Sequence, residues 1–472
     1  MGQSTAQGAK SEGVLIEGVF DKPTVAVFDG ERQSDVGGAL ILGLADRRVG
    51  LTQSLCDAML DPRQRGKVEH PAIEMIRQRV YGIACGFPDL NDATRLRDDP
   101  GMRMLCGRPI DGEEHALASA PGLCRLENRA TRRDLVGMAH ALLDRVIEQQ
   151  AKGRRRKQVK RITIDLDPTD DPTHGQQQLS FFNGHYDTWC YLPLVGYVTF
   201  HDREGREEPE QYLVAAILRP GNAPATEGAK GLLRRLVARL RGAFPKAAIR
   251  VRLDGGFGSG PFLDFLESLG VTYAVNLPSN ERLREAAEEG LEKVRPLGEA
   301  TGVSERIYGE CRYAAKAWSR ERRVVIKAEV VRCERTPQKE PKDNARFLVT
   351  NETTSPQHTY ENVYCRRGDV ENRIRELNHG MDSDRTSCTS FKANQFRLLL
   401  TAAAYVLMQE IRRRASRTAL ARTQVWKMRE HLLLLGARIV RSTRRLVVRL
   451  SGTSPYRDAW LSIARALGAA PA

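Results

Sequence analysis

Three carboxylates in this chain stand where a sheet-based enzyme would hold metal ions. Asp167 closes the segment RITIDLD, whose alternation predicts a strand with Ile162, Ile164 and Leu166 on one face and Thr163, Asp165 and Asp167 on the other. Asp254 closes AIRVRLD and opens the glycine-rich turn GGFGSG, and ends of strands in open α/β sheets are where ligands usually bind. Glu371 lies in YCRRGDVENRIREL, where Tyr364, Arg367 and Glu371 are three and four residues apart and so share one face of a helix. Clustered carboxylates can hold two magnesium ions about 3.5–4 Å apart, which activate a water or hydroxyl and neutralise charge on the attacking and leaving oxygens of a phosphodiester. Arg367 would then neutralise a phosphate while Glu371 binds metal. Asp165, two residues deeper than Asp167 on the same face, is the alternative first carboxylate. Each acid alone has a plainer reading, Asp167 and Asp254 as turn residues and Glu371 as a solvated helix residue; their conjunction in order favours the catalytic one.

The elements that must position these residues follow from periodicity. Residues 34–150 read as mainly helical: HPAIEMIRQRVYGIACGF puts Ile73, Ile76, Val80 and Ile83 on one face, and an amphipathic helix runs over 132–150. Between them SAPGLCRLENRATRRD has the size of a helix-turn-helix element with Arg125, Arg129 and Arg132 outward; it is either DNA-contacting or two packed helices with a solvated face. The basic run GRRRKQVKR marks a change of composition, as a linker or as a phosphate-contacting strand edge. Then come RITIDLD, the β-rich runs WCYLPLVGYVTF and EQYLVAAIL, a basic helix over 226–244, the strand AIRVRLD, the helix PFLDFLESLG and the strand VTYAVNL. Three strands, a helix, a strand, a helix and a strand predict an α/β fold, a mixed sheet with helices on it, in the order of the RNase H-like fold.

Residues 278–343 read as a β-rich insertion outside that sheet order, containing the strand RRVVIKAEVVRC and the charged loop ERTPQKEPKDN. RFLVTN resumes the core, helices follow over 364–414, and the tail holds a helix near 426–435, the hairpin GARIVRSTRRLVVRLS and a last helix. The expected organisation is a flexible segment (1–33), a helical domain (34–152), a core in two parts (153–277 and 344–411) split by the insertion (278–343), and a basic C-terminal region (412–472).

Composition narrows the partners. Hydrophobic residues make up 41% of the 472 and charged residues 28%, which describes a globular chain of two or three domains and excludes a disordered one. The formal charge of +15 points to a polyanion, nucleic acid first. Nine scattered cysteines without a C-x-x-C pair read as reduced thiols of a cytoplasmic protein. No apolar run reaches about 18 residues, which excludes a membrane span. DGGFGSG breaks the G-x-G-x-x-G pattern at Pro261 and no Walker sequence occurs, so no nucleotide is expected. Tyr186 and Trp189 read as sheet packing, and His174 and His185 as structural. Trp318, beside Arg320, Arg322 and Arg323, is read as a core aromatic or, as the rival, as a platform for an unpaired base.

Taken together, IDLDPTDDPTHGQQ, FNGHYDTWCYLPL, LRPGN, RLDGGF, YCRRGDVENRIREL and ANQFRLLLTAAAY, with LNDATRLRDDP and RLEN upstream, resemble the DDE transposases of bacterial insertion sequences. The closest resemblance is to the group with a Tyr-x2-Arg-x3-Glu signature and, within it, to insertion-sequence family thirteen-eighty. The resemblance implies an RNase H-like core with a β-rich insertion before the Glu helix. It implies two magnesium or manganese ions on Asp167, Asp254 and Glu371, with Tyr364 and Arg367 on DNA near the scissile phosphate. The reaction implied is hydrolysis at the ends of the element, then attack of the freed 3′-hydroxyl on target DNA by a homodimer. The N-terminal helices would recognise the ends, and the basic tail from Arg412 would hold phosphates or the second subunit. Asp167 is preferred to Asp165 because it is nearer the strand end and matches D-x-T. Where the wider group often has a lysine seven residues after the glutamate this chain has Asn378, and Arg375, one helical turn after Glu371, is the candidate for that phosphate contact. The rival readings are an inactive DNA-binding relative and an RNase H-like nuclease without strand transfer.

Overall fold

The computed structural model describes residues 13–17, 19, 21–27, 32–152, 159–202, 207–332 and 340–471. The N-terminal stretch to residue 12, the basic run at 153–158 and Cys333 with the charged loop to 339 lie outside the described residues.

The site is carried by an eight-stranded mixed sheet. Its strands in chain order are β1 (Arg161–Pro168), β2 (Leu194–His201), β3 (Glu207–Ile217), β4 (Ala248–Leu253), β5 (Thr272–Leu277), β6 (Glu305–Tyr313), β7 (Arg322–Val331) and β8 (Lys342–Thr350). In space they run β6-β7-β8-β5-β4-β1-β2-β3. β1, β4 and β5 are parallel, and every other pairing is antiparallel. The parallel arrangement puts the C-terminal ends of β1 and β4 side by side, because β4 returns to its place through the helix Ala229–Ala243 rather than through a hairpin.

The segment expected to leave the sheet order extends the sheet instead. β6, β7 and β8 form an antiparallel meander that adds to the free edge of β5. Ahead of it stands a helix, Glu281–Thr301, where a β-like pattern was expected. Leu283, Ala287, Leu291, Val294 and Gly298 form its buried face, a helical spacing partly hidden by an otherwise charged sequence and by Pro296. The 1–33 segment also contains structure: Gly13–Ile16 pairs with Thr24–Val27.

The opposite edge strand, β3, is covered by the helix Phe391–Arg414, which is buried over most of its length. Exposed strand edges present unpaired backbone groups, and here glutamines meet them. Gln409 Oε1 accepts from Leu213 N at 3.1 Å, Gln395 Oε1 accepts from Leu218 N at 2.7 Å, and Gln409 Nε2 donates to Gln211 O at 2.6 Å. The same helix packs against the N-terminal helices Leu40–Val49, Ala72–Ala84 and Arg132–Ala151, so one continuous apolar core joins the helical region to the sheet. The helix Arg132–Ala151 starts in a capping box between Thr131 and Asp134, which satisfies its first free N–H groups. Among the described residues no helix is long and apolar enough to cross a membrane.

Two packing expectations change. Trp189 is not core: it is 57% exposed, on a small sheet (Asp171–Pro172, Phe181–Asn183 and Thr188–Tyr191) that emerges after β1. Alternation in this short sheet selects a face, but of its large side chains only Tyr191 is buried, while Phe181, Phe182 and Trp189 stay exposed. Arg412 does not begin a free basic tail either. It is buried and ion-paired to Glu210 at 2.7 Å and Glu376 at 2.5 Å, while Arg413 and Arg414 pair with Glu410.

Candidate active site

Asp167 is the penultimate residue of β1 and Asp254 follows the last residue of β4. Asp254 caps a short turn, its Oδ1 accepting from Gly256 N at 3.0 Å. The glutamate arrives from above through an irregular helical path: a π turn (His358–Tyr364), a 3-10 turn (Cys365–Arg367) and the α-helix Gly368–Met381. The spacing predicted a single regular helix face. The change of winding is of a kind often found at functional sites.

Arg367 joins these elements. Its Nη2 lies 2.6 Å from Asp167 Oδ1 and its Nη1 donates to Glu371 Oε1 at 3.0 Å, while its buried Nε has no hydrogen-bond partner. Burial pushes the Asp167 carboxyl up to about 7; Arg367 opposes the shift, whereas Asp254, Glu371 and Asp165 add to it. The contact with Arg367 pulls the other way, but the desolvation of Asp167, with acids nearby, outweighs one shared guanidinium. Tyr364 looks onto the same charges: burial pushes its hydroxyl up to about 12, with Asp254, Asp167 and Glu371 adding and Arg367 opposing. Among the described residues no three His, Cys, Asp or Glu side chains already converge as a metal cage; Arg367 stands between two of the acids.

Asp165 is paired away from the other acids. It is fully buried, and both its oxygens accept from Arg252, from Nε and from Nη2 at 2.8 Å each. Arg252 Nη1 also donates to Val363 O at 3.0 Å. This pair ties β1 and β4 to the π turn that delivers Tyr364 and Arg367. The sequence reading did not single out Arg252; its place two residues before Asp254, on the same face of AIRVRLD, was the available signal.

Asn378 is a tether. Its Nδ2 donates to Thr169 Oγ1 at 3.0 Å and its Oδ1 accepts from Ser383 at 2.7 Å, binding the glutamate helix to the loop after Asp167. Arg375 is exposed one turn beyond Glu371. Tyr186, read as packing, is half-buried, and its hydroxyl is pushed up to about 12 by burial, then by Asp170, Asp167 and Asp254. The acids thus act electrostatically on Tyr186, which no spacing in the sequence revealed.

The remaining candidates stand apart from the acids. Trp318 is partly buried, edge-on to Tyr313 at 5.4 Å and with the Arg322 guanidinium 5.3 Å from its ring centre. Gly260 lets it approach, since a Cβ there would lie 3.0 Å from Trp318. Arg320 and Arg322 are ion-paired to Glu267, and Arg323 to Glu310. In the helical region Arg125 is exposed, whereas Arg129 pairs with Asp61 at 3.1 Å. His174 and His185 are exposed.

Acids at the ends of two adjacent parallel strands, met by a third from a helix, suit chemistry on a phosphodiester. Residues 16–472 match the family described as Transposase DDE domain group 1, and the chain belongs to that family. No curated protein matches it.

Proposed function

We propose that this protein is an insertion-sequence transposase that cuts DNA at the ends of its element and joins the freed 3′-hydroxyl to target DNA. The observation that carries this reading is Asp167 and Glu371 bridged by Arg367, with Asp254 just past the end of the adjacent strand, in a chain of the DDE transposase family. The strand order β3-β2-β1-β4-β5 supports an RNase H-like core, and the Tyr364, Arg367, Glu371 spacing supports the Tyr-x2-Arg-x3-Glu group and family thirteen-eighty.

The acids fit a divalent cation. A carboxyl raised to about 7 by burial and then by its acidic neighbours gains most from added positive charge. Asp167, Asp254 and Glu371 would hold two magnesium or manganese ions, which supply a nucleophile at neutral pH and charge for the leaving oxygen. Asp165, engaged by Arg252, positions β1 rather than binding metal. Arg367 and Tyr364 orient the scissile phosphate, Arg367 through a guanidinium already held at the acids. Arg375 holds a neighbouring phosphate. The protein works as a homodimer on paired ends in the cytoplasm, with Arg125 on the surface that meets the ends.

The test is purified protein with magnesium or manganese and a plasmid carrying the element's ends. Wild type should cut at the ends and yield joined products, while Asp167→Asn, Asp254→Ala and Glu371→Ala bind the ends without cutting. Binding without cleavage by wild type would favour an inactive relative, and cleavage without joined product a plain nuclease.

A further inference from the structure

Many arginines of this chain are ion-paired to carboxylates, but one element gathers several that are not. The strands Ala437–Arg441 and Leu446–Leu450 form an antiparallel ribbon with five arginines, Arg438, Arg441, Arg444, Arg445 and Arg449, all exposed. No Asp or Glu occurs anywhere from His431 to Arg457. With five arginines and no acid, the ribbon holds a third of the chain's formal charge of +15, and among the described residues no carboxylate pairs with Arg441, Arg444, Arg445 or Arg449. Arg438 stands directly opposite Arg449 in the register, and like charges facing across a ladder destabilise it.

The ribbon is anchored at its root all the same. Its root, Ala437, is buried and pairs with Ser34, and Gly37 approaches so closely that a Cβ there would lie 2.1 Å from Ala437 Cβ. Its tip is closed by hydrogen bonds from Ser442 N and Ser442 Oγ to Arg445 O, both at 2.9 Å. An anchored arm bearing self-repelling cations suits a polyanion with regularly spaced charge. A second copy of the same ribbon would add to the repulsion.

We propose that this ribbon grips the phosphate backbone of duplex DNA through Arg441, Arg444, Arg445 and Arg449. The proposal rests on the reading of the chain as a DNA-processing enzyme and adds a contact remote in sequence from the catalytic acids. A two-stranded ribbon is narrow enough to lie along or within the major groove.

The experiment measures binding of the full-length protein to a labelled duplex of arbitrary sequence across a range of NaCl concentrations. The slope of log K against log salt should become shallower by about 3–4 when all four arginines are changed to Gln, about 0.9 per lost phosphate contact. Changing the four to Lys should keep the wild-type slope, which a merely structural role for the guanidinium groups would not. A Gln variant that folds and keeps the wild-type slope overturns the ribbon assignment alone, and so does one that only loses self-association. Absence of duplex binding by wild type overturns both the ribbon and the DNA reading beneath it.

Discussion

The interior of β1 and its end present two aspartates in contrasting surroundings. Asp165 is sealed in the sheet, with both oxygens matched by the planar fork of Arg252. Asp167 shares one guanidinium with Glu371 and sits among acids it cannot all satisfy. A bidentate pair completes its own electrostatics and fixes geometry. The incomplete cluster at the strand end leaves negative charge to be neutralised by something else. Two residues along one strand thus separate a fully paired acid from one that the proposed function makes reactive.

Substitutions can break this contrast. The largest expected effect is on cleavage: Asp167→Asn should reduce end cutting to background, whereas Asp165→Asn with Arg252→Gln should retain some cutting in whatever fraction folds. If the double variant folds fully and is as inactive as Asp167→Asn, the division of roles is wrong. On stability the order reverses. Asp165→Ala leaves Arg252 buried without its partner and should cost about 3–5 kcal/mol in denaturant unfolding; a near-wild-type midpoint would show that the pair is dispensable.

The pH dependence sharpens the comparison, measured in chelator to keep the acids metal-free. Asp167 titrates near 7 in the folded chain, above its unfolded value of about 3.9. Between those values the folded state binds the extra proton, so this group's contribution to stability falls as pH rises. Wild type should therefore lose stability relative to Asp167→Asn by at most roughly 1.4 kcal/mol per pH unit across that window. Asp171, also pushed to about 7 by burial, is present in both proteins and cancels. Parallel pH curves would contradict the crowded-acid picture. The smallest effect belongs to Asn378→Ala, which removes two hydrogen bonds at about 1 kcal/mol each or less. It should slow cleavage by misplacing Glu371 more than it lowers the unfolding midpoint; the reverse would make Asn378 purely structural.

Much of the site was legible because its parts are local. Alternation in RITIDLD and AIRVRLD placed Asp167 and Asp254 at strand ends, and the spacing of Tyr364, Arg367 and Glu371 survived the irregular winding of that segment. The helix Glu281–Thr301 was missed because its small and charged residues mask a modest apolar stripe. Trp189 was misjudged because alternation reports a two-faced strand, not whether anything covers the second face. Basic residues were the least readable: Arg412 and Arg445 look alike in the chain, yet one is buried against Glu210 and Glu376 and the other is exposed at the tip of a ribbon.

By itself the sequence determined the strands, most of the helices, the order of the acids and the excess of positive charge, all set by residue type and short-range period. Tertiary structure alone decided which aspartate of β1 meets Arg252, where Arg367 sits, and which arginines remain without a carboxylate. Those outcomes depend on partners from about 90 to 200 residues away in the chain, brought together by sheet order and helix packing. A charge is neutralised by what lies within a few ångströms in space, and periodicity along the chain carries no record of that.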